Sequence, residues 1–414
     1  MDNSKLTKQY ILLLTLEGFA GILILASMAL AARNLSNLDY SLLLTFRRDA
    51  AFLVPLVLLG LGTTLVKEIA ILNASYKRGN QSINSIINGG LLLSLCSFST
   101  LLFFFIFSES FRDFFSGNNA LMLIWLFCLG LNAIIFSILR GQGRYFIATL
   151  SNFLNLGFAP FIASIFCNSF ISFLMINLYL MSGFIIFFLI ISLKKIYYPR
   201  LSFASSNYLF RSGFHRFLAD LAFNFIIWSP IFIGRIILNV NDEIYFGAWS
   251  FALMILTIFV QLIFPMTTIA LPEMSRSIVS GDKGFALKSL AKVIFLIIIF
   301  SLLVQIIYLL IGNKILLIIF GQVSQEYLFQ VSLIVLALPG FLIYSLNRAI
   351  IDAIYDSPVN LIITSISSAL IIFGAIFLKY ILDMSSLVEY IFPSAILLMG
   401  LSSIIAIFGR IRLI

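Results

Sequence analysis

Apolar runs of about twenty residues, long enough to cross a ~30 Å hydrocarbon core as helix, recur along the whole chain between short polar turns. Twelve can be drawn, at about 10–32, 41–66, 83–107, 120–139, 146–167, 171–193, 214–238, 246–271, 287–311, 327–347, 358–379 and 388–409. The pattern predicts an all-α polytopic membrane protein. The first run follows Lys5 and Lys8 and ends at a small-residue "ALA" at 29–31, as a secretory signal would. Its length, its Glu17 and the eleven runs behind it instead predict an uncleaved first helix.

Composition agrees: 61% of the 414 residues are hydrophobic and 10% charged, against roughly 25% charged in a soluble domain. A net charge of +9 would suit nucleic acid if it formed a patch. Here Lys and Arg are scattered over short loops, so no nucleic-acid partner is expected and the positive-inside rule is the better account. With the N-terminus in the cytoplasm, the termini and even-numbered loops hold most of the 26 Lys and Arg; Arg33, Arg112, Arg235, Lys314 and Lys379 fall outside, and Arg47 and Arg48 stand apart. Both termini are therefore expected in the cytoplasm.

The longest connection, 194–213, carries Lys194, Lys195, Arg200 and Arg211 and is read as a basic cytoplasmic linker. It separates an N-terminal lobe of six spans, 1–193, from a C-terminal lobe of six spans, 214–414. One offset, 205, matches Asn34 with Asn239, Tyr40 with Tyr245 and Glu68 with Glu273, each pair at the same place relative to its helices. An even number of spans per half makes the repeat parallel, and a central cavity between such lobes is where a transporter keeps its substrate.

Cys96, Cys128 and Cys167 are too widely spaced for a disulfide framework or zinc site, and His215 is the sole histidine. No metal, cofactor or catalytic residue is expected, nor is there a G-x-x-x-x-G-K-S/T pattern for ATP. The chain is not read as an enzyme.

The candidate chemistry is charge inside the membrane. A charged side chain at the bilayer centre costs about 2.5 to 3.5 kcal/mol on insertion scales and marks a cavity or a partner. Glu17 lies in the first span among Gly18, Ala20 and Gly21, small residues that let a neighbouring helix approach. In the seventh span Arg216, Asp220, Asn224 and Trp228 follow at four-residue steps and Arg235 returns to the same side, a polar stripe in which Arg216 and Asp220 can pair at i, i+4. Under the 205 offset Glu17 falls near Asp220, placing carboxylates at similar depth in equivalent helices. Arg47, Arg48 and Asp49 open the second span. The two arginines either snorkel to outer headgroups or face the cavity, where planar forks suit phosphate or carboxylate oxygens. They correspond to Ala252 and Leu253, so the basic pair belongs to the first lobe alone, as expected of a ligand site.

Two parallel six-helix lobes with polar first and seventh helices, together with "GLGTTLVKEIA" at 60–70, "LRGQGRY" at 139–145, "IFPMTTIALPEMSR" at 263–276 and "NRAIIDAIYDSP" at 347–358, resemble the polysaccharide-transporter family. That family belongs to the superfamily that includes multidrug extruders and peptidoglycan-precursor flippases. The resemblance implies a flippase of the bacterial inner membrane. It would carry undecaprenyl-diphosphate-linked oligosaccharide, such as an O-antigen repeat unit of lipopolysaccharide, from the inner to the outer leaflet by rocking of the lobes. Its partners would be that lipid-linked substrate, membrane lipids and other polysaccharide-assembly proteins. On that reading Arg47, Arg48 and Arg216 meet the diphosphate, and Glu17, Asp49, Asp220 and Asn224 are cavity or ion-coupling groups. An inside-negative potential favours outward movement of an anion by about 2.3 kcal/mol per charge per 100 mV, so proton coupling is not required. The alternatives are an extruder of cationic drugs in exchange for protons or sodium, which should concentrate carboxylates, and a membrane polymerase or ligase of the glycan pathway, which should carry a substantial outer loop.

Overall fold

The computed structural model describes residues 3–74, 80–108, 119–193, 203–240, 242–261, 284–321, 327–355 and 358–411. Among the described residues eleven helices are long and apolar enough to cross a membrane, and a bent pair adds a twelfth. The spans are Thr15–Asn34 (helix 1), Asn37–Leu58 with Leu61–Asn73 (helix 2), Ile83–Phe107 (helix 3), Ala120–Gly141 (helix 4), Tyr145–Phe166 (helix 5), Phe170–Ser192 (helix 6), Phe203–Ile237 (helix 7), Glu243–Val260 (helix 8), Ile294–Phe320 (helix 9), Leu328–Asp352 (helix 10), Val359–Ile381 (helix 11) and Ser385–Gly409 (helix 12). Odd-numbered helices run from the N-terminal face of the bundle to the opposite face, and even-numbered ones return.

Most spans match the hydropathy reading within a few residues. Helix 7 instead begins at Phe203, inside the stretch expected to be linker, because "FASSNYLFRSG" packs on helices 2 and 3 and is held by neighbours rather than by its own hydropathy. Helix 9 runs on to Phe320 through a π-turn at Tyr308–Gly312. The end of the run expected at 246–271 lies outside the described residues.

The repeat shows in the packing. Helix 1 packs on helix 5 as 7 does on 11; 2 on 4 as 8 on 10; 4 on 6 as 10 on 12; 5 on 6 as 11 on 12. Between the halves helix 2 meets helix 8, helix 7 reaches helices 2 and 3, and helix 1 reaches helices 8 and 9, again related by six. Large apolar side chains such as Leu309, Ile318, Phe373 and Ile405 point outward; in a spanning bundle they meet lipid. The interior is filled by Trp228, Trp249, Tyr40, Tyr327, Tyr344 and a layer of phenylalanines.

Two local departures position the site. Helix 2 bends by 46° where Leu59 and Gly60 take left-handed φ of 45° and 79°. A Cβ on Gly60 would stand 2.4 Å from the carbonyl oxygen of Gly213, so only glycine lets the bend touch helix 7. Helix 5 carries a π-turn at Phe153–Phe158, a feature frequent at functional sites, which sets Asn155 inward while Gly157 closes on Ala20 of helix 1.

Candidate functional site between the halves

A pocket of about 260 Å³ opens between the halves in the part of the bundle nearer the N-terminal face. Gly62 and Thr63 just past the bend, Ser137 and Arg140 near the end of helix 4, Asp220 of helix 7, and Ser345, Arg348 and Asp352 of helix 10 are among its lining residues. Arg348 forms an ion pair with Asp220 and lies 4.8 Å over the ring of Phe223. Arg140 lies 5.1 Å over Phe136 and within electrostatic reach of Glu17 and Tyr145. Asp352 accepts from Asn360 Nδ2 at 2.8 Å.

Arg216 is buried beside this pocket. Its guanidinium donates to Thr64 Oγ1 and to the Asp352 carbonyl, both at 3.5 Å, and to the Ser212 carbonyl at 3.4 Å. The i, i+4 pair expected between Arg216 and Asp220 is therefore replaced: Arg348 takes Asp220 from across the half, and Arg216 turns to the bent second helix. Asn224 spends its amide on the Asp220 carbonyl at 2.8 Å within helix 7.

The charges that open helix 2 lie deeper toward the opposite face. Asp49 is fully buried, accepts from Trp228 Nε1 at 2.8 Å and faces Arg235 Nη1 at 3.5 Å. The π-turn Ile233–Ile237 carries Arg235, whose guanidinium also lies 5.0 Å from the ring of Phe246, and Trp228 stacks on Phe52 at 4.5 Å. Asp49 is thus a tie between the halves and is not among the residues lining this pocket; Trp228 and Arg235 share a side, as the stripe implies. Arg47 donates to Met28 Sδ at 3.2 Å, and Arg48 has its Nε enclosed without a hydrogen-bond partner. Neither arginine is among the pocket-lining residues.

Glu17 points into the first half as its small neighbours suggest. It is 2% exposed, lies beside Thr149 and near Arg140, and its Oε1 has no donor. Around the π-turn of helix 5, Asn132 Oδ1 accepts from Ser151 Oγ and Asn155 Nδ2 at 3.0 Å each, and Asn132 Nδ2 donates to Asn152. The oxygens of Thr149, Asn155 and Asn177 are likewise buried without partners. The first half therefore holds a carboxylate and a set of oxygen acceptors with spare capacity, which in low dielectric call for a proton or a cation.

The sequence reading missed Arg140 and Arg348, counted only as loop charges, and the amide cluster of helices 4 and 5. The motif at 60–70 forms the bend, that at 139–145 turns from helix 4 to helix 5 through Gly143 with φ 77°, and that at 347–358 brings Arg348 and Asp352 to the pocket. The motif at 263–276 lies outside the described residues.

No family model matches the chain, and no curated protein matches it. Solved structures do. The chain is similar to a multidrug resistance MATE family transporter of the MOP superfamily in its outward-facing conformation, at 15% identity and a TM-score of 0.71 over 98% of this chain and 95% of that one. It is similar to the MATE transporter VcmN of Vibrio cholerae at 14% identity and 0.69, covering 99% and 98%. A third is a MOP superfamily transporter from Pyrococcus furiosus, described as having a binding pocket of reverse polarity, at 15% and 0.70, covering 98% and 95%. At these identities the likeness establishes the fold, which is that of MATE transporters.

Proposed function

We propose that the chain is a cation-coupled membrane transporter that exposes the inter-half pocket to one side of the bilayer and then to the other. The observation that carries this reading is the buried Glu17 with an unpartnered oxygen inside one of two halves that meet around a polar pocket. Its occupancy by a proton or sodium ion changes the charge of the first half and so biases two arrangements of the same interface. The likeness to a multidrug resistance transporter favours export of drugs, and this is the substrate reading adopted.

A second reading, flipping of a lipid-linked oligosaccharide, is favoured by the charge inside the spans. Of the charges described above, Asp49 is matched by Arg235 and Asp220 by Arg348, which leaves Arg47, Arg48, Arg140 and Arg216 against Glu17 and Asp352. A cationic surplus suits an anionic head group. The bacterial inner membrane with cytoplasmic termini, and a non-enzymatic role, belong to both readings.

The test is reconstitution into proteoliposomes under an imposed proton or sodium gradient, with a fluorescent cationic drug in one set and a fluorescent polyprenyl-diphosphate sugar in another. Gradient-dependent drug movement supports the exporter. Movement of the lipid-linked sugar, with cytoplasmic accumulation of such lipids in deletion cells, supports the flippase. Movement of neither under any gradient would sink the transporter reading.

A further inference from the structure

We propose that two copies of this chain associate in the membrane through the lipid-facing side of helix 6, with Tyr179 and Gly183 at the crossing. Tyr179 stands nine residues past the start of helix 6, Phe170–Ser192, about 13 Å along a span of about 34 Å, and so near mid-bilayer. It is 73% exposed, and no described residue hydrogen-bonds its hydroxyl. The other exposed tyrosines, Tyr208, Tyr380 and Tyr390, lie near the ends of their spans, where headgroups and water reach. Acyl chains at mid-bilayer offer a hydroxyl no partner. Gly183 lies one turn further along the same face and is exposed too. A helix interior disfavours glycine relative to alanine, and elsewhere in the bundle a neighbour explains the choice: a Cβ on Gly89, Gly340 or Gly400 would strike the backbone of another helix. At Gly183 nothing lies within 4 Å of such a Cβ. One chain alone thus gives the hydroxyl no acceptor and the glycine no neighbour.

Helix 6 packs on helices 4 and 5 and turns Met175, Tyr179, Gly183, Ile186 and Ile190 outward, at steps of three and four that make one uncharged face. Between apolar helices in lipid, association comes from close backbone approach at small residues and from interhelical hydrogen bonds. This face supplies both. It is also self-complementary. Copies inserted in the same direction are related by a two-fold axis along the membrane normal, so each residue meets its own counterpart at the same depth. The paired Gly183 positions let the backbones approach. One turn away the two Tyr179 hydroxyls satisfy each other, because a hydroxyl both donates and accepts. A partner of another sequence must bring its own polar group to that depth, whereas a second copy carries it already.

The experiment uses the full-length protein in native membranes and in liposomes, with Cys96, Cys128 and Cys167 replaced by serine. Ile186→Cys, beside the crossing, is oxidised with copper phenanthroline; Leu309→Cys on helix 9, at a position 82% exposed, reports chance encounters. A band at twice the chain mass is expected from Ile186→Cys and roughly tenfold less of it from Leu309→Cys. Association is then measured by single-molecule photobleaching of labelled protein over a series of lipid dilutions. Gly183→Leu should weaken it roughly tenfold or more, with an unchanged Tm in detergent because the new side chain enters open space in a single copy. Tyr179→Phe should weaken it about threefold, the size of an interhelical hydrogen bond in a bilayer. The dimer is overturned by single bleaching steps at every dilution, by equal crosslinking from Leu309→Cys, or by unchanged association in either helix 6 variant. It is equally overturned if Ile186→Cys joins a different protein and not its own copy, which would assign the face to another membrane partner. Association is read without transport, so its failure leaves the proposed function standing.

Discussion

Removing the Asp49 carboxylate should release the halves at the face opposite the N-terminus. Asp49 is fully buried and holds Trp228 Nε1 at 2.8 Å, a charge-assisted bond of about 1.5–3 kcal/mol. The Arg235 contact is long at 3.5 Å, and with side chains 14% and 0% exposed its attraction is largely offset by the cost of taking both charges out of water. Asp49→Ala should thus cost the closed arrangement about 2–3 kcal/mol, a change of roughly 30- to 150-fold in the ratio of open to closed. Ser41 reports the change: it is buried near the start of helix 2, 2.9 Å from the Tyr327 hydroxyl and tight against Gly247. With Cys96, Cys128 and Cys167 replaced by serine, a Ser41→Cys probe is labelled by a membrane-impermeant maleimide. Labelling should quicken at least tenfold on adding Asp49→Ala, and less on adding Asp49→Asn, whose amide oxygen still accepts from Trp228. An unchanged rate, with only a lowered Tm, would refute the tie and reduce Asp49 to ordinary packing.

Glu17→Gln should leave the fold intact and make transport indifferent to the imposed proton or sodium gradient; retained dependence in proteoliposomes would move the coupling site elsewhere. Arg48→Met should raise Tm, because an arginine nitrogen enclosed without a partner costs about 1–3 kcal/mol and Met fills similar volume. An unchanged or lower Tm would mean that lipid phosphates or water satisfy it. Gly340→Ala should lower Tm markedly in a thermal-stability assay, since its Cβ would stand 2.4 Å from the Ile396 carbonyl and 2.7 Å from Leu397 Cα, both backbone. Gly60→Ala combines a φ of 79° with the Gly213 carbonyl at 2.4 Å and should abolish transport; wild-type transport would show that the bend has another cause.

The spans were legible because hydropathy is a local sum, and the repeat because Asn34, Tyr40 and Glu68 recur as Asn239, Tyr245 and Glu273 at one offset and at the same places relative to their helices. The site was legible only in part. Glu17, Arg216 and Asp220 stand out as charges in apolar runs, but their partners come from distant sequence: Arg235 reaches Asp49 across 186 residues, and Arg216 reaches Thr64 across 152. The i, i+4 rule offered Asp220 to Arg216 because both are on one helix. An exposed pair of that kind contributes only about 0.2–0.5 kcal/mol, too little to hold Asp220 against Arg348 arriving inside the bundle. Arg140 and Arg348 were hidden for a different reason: each lies near a helix end, where the positive-inside rule accounts for an arginine without invoking a site.

The two ends of the inter-half interface are built from different chemistry yet held with similar strength. At the opposite face the tie is one buried carboxylate with an indole and a guanidinium. Toward the N-terminal face helix 7 meets the first half through several weaker bonds: Ser206 Oγ donates to the Gly89 carbonyl at 2.8 Å, Ser85 and Ser205 hydroxyls are 2.6 Å apart, Tyr208 donates to Glu68 at 3.1 Å, and Arg216 donates to Thr64 at 3.5 Å. Four such bonds at about 0.5–1.5 kcal/mol each are of the same order as the 2–3 kcal/mol assigned to the Asp49 tie. A bundle whose two ends cost about the same to open has two arrangements within a few kcal/mol, and a bound ligand or cation of modest differential affinity is then enough to choose between them. The close approaches at Gly60 and Gly89, where a Cβ would collide with helix 7 backbone, keep the two halves in register while that choice is made.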